Sequence, residues 1–211
     1  MTGFVSVEAA AEELRQGRFV IIADDEGREN EGDLVIAAEF ADAAAVNFCA
    51  VHGRGLICCA LDPAIIEHLK LKPMVPQEDN QSGFGTAFTV SVEAREGVTT
   101  GISAGDRART IEVLIDPEAR PSDLVSPGHM FPLRAHPGGV RARGGQTEAS
   151  VELSKIAGLR PGAVICEVMN EDGTMARRDD LLAFSEKHNI PITTTEAIKE
   201  YLIGLSSMAA E

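Results

Sequence analysis

Ten consecutive residues, Asp24-Asp25-Glu26-Gly27-Arg28-Glu29-Asn30-Glu31-Gly32-Asp33, carry six carboxylates. Like charges this dense repel, and a hard divalent cation with oxygen ligands would relieve them. A solvated acidic loop explains the same composition. Arg28 inside the run, with Gly27 and Gly32, suits a lid that orders around a charged ligand. The spacing is not that of an EF-hand. A second run, Arg143-Gly144-Gly145-Gln146-Thr147-Glu148, opens a helix. Arg, a Thr hydroxyl and backbone N–H groups at a helix start suit a phosphate; a plain cap by Thr147, with Glu148 favoured by the dipole, is the competing account. In Ser126-Pro127-Gly128-His129, the histidine follows a glycine turn and could move protons, or simply face solvent. In Cys166-Glu167 a carboxylate ends an apolar run, and it either points to solvent or serves a site at the strand ends.

These residues need elements to place them. Apolar spacing predicts a helix over 7–14, with Ser6 as N-cap and Gly17 as the stop. Buried strands are expected at 19–23 and 34–38, flanking the acidic loop. A helix follows from Asp42 to about 50, a strand at 56–61, and a helix from Asp62-Pro63 to Leu69 with Pro at the first turn. Residues 70–84 read as loop, 87–93 as a strand, 103–115 as a helix capped by Ser103. Residues 116–128 read as a long connection, then 131–135 as extended chain. The helix after Thr147 presents Ala149, Leu153, Ile156 and Ala157 and stops at Gly158. A strand at 163–168, a helix at 179–188 and a strand at 190–193 precede a last helix, for which Thr193 and Glu196 have capping-box spacing. Strands mix with helices and no repeat or linker intervenes, so the expected class is α+β (α/β mixed): one compact domain over 1–211 with a mixed sheet and packed helices.

Net charge is −14 over 211 residues, with 44% hydrophobic residues. That argues against nucleic acid or an anionic membrane as partner, so an anionic substrate needs local cations. Cys49, Cys58, Cys59 and Cys166 match no zinc pattern and are expected to be buried free thiols, which suits a reducing cytoplasm. No signal segment or membrane-spanning run is present in the sequence. Gly53-x-Gly55 is an incomplete dinucleotide fingerprint, and there is neither a P-loop nor a nucleophile motif.

Taken in order, several stretches resemble one family. They are residues 24–33, Gly97-Val98-Thr99-Thr100-Gly101-Ile102-Ser103-Ala104 with Asp106-Arg107, and Pro127-Gly128-His129 with Phe131-Pro132-Leu133-Arg134-Ala135. Arg143-Gly144-Gly145, Thr147-Glu148-Ala149 and Asn170-Glu171-Asp172-Gly173-Thr174-Met175-Ala176 complete the set. The family is 3,4-dihydroxy-2-butanone 4-phosphate synthase, and the resemblance covers about 7–201. It implies a homodimer that converts D-ribulose 5-phosphate to 3,4-dihydroxy-2-butanone 4-phosphate and formate, in riboflavin biosynthesis, with Mg²⁺ or Mn²⁺. It implies Glu29 as metal ligand, Arg28, Asp33, Arg143, Gly144, Gly145 and Thr147 on the substrate, and His129, Glu167 and Asp33 in catalysis. The cyclohydrolase domain often fused to this family is expected to be absent. Two departures stand out: Gly27 replaces the usual Asp, and Gln146 occupies the position of a metal-ligating histidine. An amide oxygen can hold a hard cation but cannot act as an imidazole base. Gln146 therefore leaves open an alternative, a weakened paralogue that binds a sugar phosphate without turnover. A divergent metal-dependent enzyme for another phosphosugar is a further alternative.

Overall fold

The computed structural model describes residues 2–208. Eight α-helices and seven strands follow the order expected of a mixed α+β chain. They are α1 (Val7–Arg15), β1 (Val20–Ala23), β2 (Gly32–Ala37), α2 (Ala43–Phe48), β3 (Cys58–Leu61), α3 (Pro63–His68), β4 (Val92–Ala94) and α4 (Ala104–Ile115), then β5 (Leu124–Arg134), α5 (Gly139–Ala142), α6 (Gln146–Ile156), β6 (Gly162–Glu167), α7 (Arg178–His188), β7 (Ile192–Thr194) and α8 (Thr195–Met208). The strands form one sheet in the order β4-β5-β3-β6-β2-β1-β7. β1–β7 and β3–β5 pair in parallel, and the other neighbours are antiparallel.

Both faces of the sheet are covered, so its central strands read as unbroken apolar runs. Successive side chains alternate between faces. Ile21, Leu34, Ile36, Cys59 and Val164 pack with residues of α2, α4 and α7. Val20, Ile22, Val35, Cys58 and Ile165 pack under α1, α6 and α8. Leu34 is fully buried, and Leu34→Ala would cost about 2–5 kcal/mol.

Ser6 and Ser103, read as caps from sequence, act as expected, and Asp42 and Asp62 at the two helix starts do the same. Ser6, Asp42, Asp62 and Ser103 each accept a backbone N–H of the following first turn. The last helix differs: the hydroxyl that accepts from Ala197 N is that of Thr194 (3.0 Å). Thr193 instead lies inside β7 and is buried. The connection expected over 116–128 is also shorter, because β5 begins at Leu124 and runs through Pro127 and Pro132. Conversely, the strand expected over 87–93 is ordered only at its end, as β4. Its earlier residues make single bridges, Thr89 to Pro73 and Phe88 to Leu133. The helix expected to end near residue 50 continues as a π-helical turn, Cys49–Gly53. All four cysteines are buried and free.

Candidate active site

Register, more than sequence proximity, builds the site. Asp33 at the start of β2 is the direct partner of Glu167 at the end of β6. By alternation from Val35 and Ile165, both carboxylates face the layer that contains α6. Asp33 is 4% exposed. Burial, then the charge of Glu167, pushes its carboxyl well above the usual aspartate range. Burial likewise raises Glu167, and the Glu29 charge adds to it. Facing carboxyls disfavour both being charged at once, so the two titrate together. Cys58 on the neighbouring strand is raised by burial and then by the same two charges, so it stays a thiol.

The Glu167 side chain is fixed from the other side. Leu56 N donates to Glu167 Oε2 at 2.8 Å. A Cβ on Gly55 would lie 2.5 Å from the Glu167 carbonyl oxygen and 2.6 Å from Oε2. Gly55 is therefore needed for close approach, a role the incomplete Gly-x-Gly pattern does not announce.

The acidic loop folds back on itself around Arg28. Arg28 Nη1 donates to Asp24 Oδ2 (2.8 Å), Glu29 Oε2 (2.8 Å) and Gln146 Oε1 (2.9 Å). Asp24 also accepts from the backbone N–H groups of Glu29 and Glu31. The loop is thus an ordered turn, with much of its charge neutralised from within. Glu29 and Gln146, 117 positions apart in the chain numbering by their shared partner Arg28 and its 118-residue separation from Gln146, meet on one nitrogen atom. A cationic group already sits between these oxygens, and oxygen donors suit a hard cation such as Mg²⁺. Among the described residues no group of three or more His, Cys, Asp or Glu side chains could hold a metal. One carboxylate and one amide fit an ion that keeps water and substrate oxygens as its other ligands.

Arg143 lies on the same side of Gly145 as Arg28. A Cβ there would meet Arg143 Nη1 at 2.5 Å and Arg28 Nη2 at 3.0 Å. Arg143 Nη1 donates to the buried Glu148 Oε2 at 2.6 Å, and Glu148 Oε1 accepts from His136 N at 2.9 Å. Gly145 is the N-cap of α6, with no side-chain cap bond. Thr147 is buried in the first turn and does not cap the helix, which sets aside the plain-cap account. Gly144 has open space around its Cα.

His129 stands apart from this group. Its Nδ1 pairs with Glu93 Oε1 of β4, and 45% of its side chain is exposed. The ladder nevertheless brings it to the same end of the sheet. Cys58 aligns with Phe131 on one side and Ile165 on the other. Two residues onward lead to His129 and Glu167, roughly 10 Å apart across β3 at ordinary strand spacing. Sequence reasoning missed the site roles of Gly55, Phe84, Thr86 and Glu93, whose partners are distant in the chain.

A profile of the 3,4-dihydroxy-2-butanone 4-phosphate synthase family matches residues 8–201. The chain belongs to this family. It is 55% identical over 200 residues to riboflavin biosynthesis protein RibBA of Aquifex aeolicus, covering 94% of this chain and 49% of that protein. It is 48% identical to the 3,4-dihydroxy-2-butanone 4-phosphate synthase of Shewanella sediminis, over 99% of this chain and 95% of that one. The chain thus spans about half the length of some curated relatives and nearly all of others. Among solved structures, a 3,4-dihydroxy-2-butanone 4-phosphate synthase in complex with two magnesium ions superposes with a TM-score of 0.89 at 42% identity, covering 94% of this chain and 97% of that one. The two-domain synthase RibBX of A. baumannii matches equally well, with a TM-score of 0.89 at 48% identity, over 93% of this chain and 57% of that one. The fold is that of the family. Among the described residues, no helix is long and apolar enough to cross a membrane.

Proposed function

We propose that this chain converts D-ribulose 5-phosphate to 3,4-dihydroxy-2-butanone 4-phosphate and formate, as a cytoplasmic homodimer that uses Mg²⁺ or Mn²⁺. The observation that carries the reading is one juxtaposition. A carboxylate pair biased toward protonation, Asp33 and Glu167, lies at the sheet end where α6 begins beside two arginines. Exposed apolar side chains at Val51, Leu56 and Ile102 support a subunit contact.

The chemistry demanded is enolisation of a keto-sugar phosphate, loss of water from C1, a skeletal shift and release of C4 as formate. Arg143 and the free N–H groups of the first turn of α6 bind the phosphate, with Thr147 beside them. Arg28 reaches the same region from the acidic loop. Asp33, raised by burial and by Glu167, takes and returns protons next to the carbonyl. Glu167, held by Leu56 N, carries the second proton position. His129, oriented by Glu93, serves the later steps from the far side of the site. Glu29 and Gln146 would hold a divalent ion, which would supply Lewis acidity for charge developing on the sugar oxygens. The turn between β1 and β2 closes over the bound sugar and excludes water from reactive species.

The test is formate release from ribulose 5-phosphate with Mg²⁺ and with excess chelator. Chelation and Glu29→Gln are each expected to reduce the rate by at least about a hundredfold. Undiminished release in chelator would overturn the metal assignment, and no formate under any condition would overturn the activity.

A further inference from the structure

Phe84 is a large apolar residue left 46% exposed. Its ring lies over the Arg28 guanidinium, with Cζ 4.9 Å from the centroid. Its carbonyl oxygen accepts from Arg143 Nε at 3.0 Å, and two residues on Thr86 Oγ1 accepts from Arg143 Nη2 at 3.0 Å. One short segment therefore touches both arginines beside Gly145. The segment has a set shape of its own. Asn80 Nδ2 donates to the Thr86 carbonyl at 3.0 Å, Asn80 Oδ1 accepts from Ser82 N and Ser82 Oγ, and Gly85 N donates to the Ser82 carbonyl. Gly85 has φ +65°, a conformation glycine adopts without strain.

Two guanidiniums crowded on one side of Gly145 repel each other. The strap offsets that repulsion from outside, with the negative face of a ring under one cation and two oxygens on the other. Glu148 alone holds only Nη1 of Arg143.

We propose that Phe84 is a positioning residue that holds Arg28 and Arg143 as a preorganised pair for the substrate's phosphate, and so sets the preference for phosphorylated over unphosphorylated sugars. This rests on the sugar-phosphate reading above. Phe84 touches no reacting atom and acts through the arginines. A contact made equally in ground and transition states appears in KM, not kcat.

The experiment measures inorganic phosphate binding to the full chain by calorimetry, for the wild type and for Phe84→Ala, Phe84→Leu and Phe84→Tyr. Phe84→Ala is expected to weaken binding about twofold to fivefold, the size of an exposed cation–π contact. Phe84→Leu fills similar volume without the ring face, and is expected to be as weak as the alanine variant. Phe84→Tyr is expected to match the wild type. KM for ribulose 5-phosphate is expected to rise by the same factors while kcat holds. Thermal melting verifies that each variant is folded. Wild-type affinity in Phe84→Leu, a weak Phe84→Tyr, or a fall in kcat at constant KM would each overturn the proposal. Should the phosphate series behave as stated in a protein that releases no formate, the strap stands and the proposed activity fails.

Discussion

Asp33 and Asp106 are the same amino acid at nearly the same depth, 4% and 6% exposed, yet their protons behave oppositely. Asp106 lies in the first turn of α4 and accepts from Thr99 Oγ1 (2.7 Å), Gly101 N (2.9 Å) and Thr99 N (3.1 Å). The Thr99 hydroxyl, followed by the backbone donors, holds its carboxyl below the ordinary aspartate range. Asp33 has no such donors among the described residues, and faces Glu167 instead. Burial is the larger cause at Asp33 and the Glu167 charge adds to it, whereas at Asp106 the Thr99 hydroxyl and the backbone donors outweigh burial. Asp106 spends its charge on closing a turn. Asp33 is instead biased toward its protonated form.

The largest expected effect separates their roles in turnover. Asp33→Asn should lower formate release about 10²–10⁴-fold, the range for loss of a general acid–base group. Asp106→Asn should leave it within about tenfold. Steady-state formate assays decide this, and an equal collapse in both variants would end the distinction.

A smaller effect tests the neighbours of Asp33. The Glu29 charge is one of the causes that raise it, and Gln146 shares Arg28 with Glu29. Gln146→His should tighten Mn²⁺ binding about tenfold, but only above the ordinary imidazole value of about 6.5. Calorimetric metal titrations at pH 6 and 8 read this directly. Unchanged affinity at both pH values would remove Gln146 from the ion's surroundings.

Stability should move in opposite directions. Asp33→Asn removes a buried carboxyl whose charged form is disfavoured by burial and by Glu167, and is expected to raise Tm at pH 8 by about 2–4 °C, for about 1 kcal/mol. Thr99→Val deletes the main donor to Asp106 and is expected to lower Tm by about 2–4 °C. Melting curves in which both variants shift the same way would contradict the comparison.

The subtlest expectation is the pH profile of stability itself. Asp33 and Glu167 bind protons more tightly folded than unfolded, so their contribution is full below the ordinary values of 3.8 and 4.5 and is lost as pH rises through the folded values. Asp106 works the other way: its contribution is present above 3.8 and is lost as pH falls through its lowered value. Denaturant midpoints of Asp33→Asn should therefore decline less than wild type between pH 5 and 8.

The sequence made some of this legible and hid the rest. β1, β2, β3 and β6 are bounded apolar runs, and α1 and α4 carry their caps, Ser6 and Ser103, in plain view. The first half of β5 was hidden by its prolines, which read as a connection, although an eleven-residue strand runs through them to the extended stretch expected from residue 131. The chemical types at 24–33 and 143–148 were visible, because clustered carboxylates and an Arg-Gly-Gly helix start are local patterns. Asp33 facing Glu167 is a fact of register between distant strands. The grip of Phe84 on Arg28 and Arg143 is likewise a contact between remote segments, and a half-exposed phenylalanine in a polar loop carries no local sign of it.

The strand order also has a consequence for synthesis. The N–H of Leu56 and the carboxylate it holds are separated by 111 residues. At translation rates of 5–20 residues per second, roughly 5–20 s pass between the emergence of the two. During that interval Asp33 has no partner carboxylate and the first strands have no completed sheet to join. A nascent chain therefore carries an ordinary, solvated aspartate there, and the acid appears only when β6 inserts between β2 and β3. A product truncated before β6 therefore lacks the Asp33–Glu167 pairing altogether.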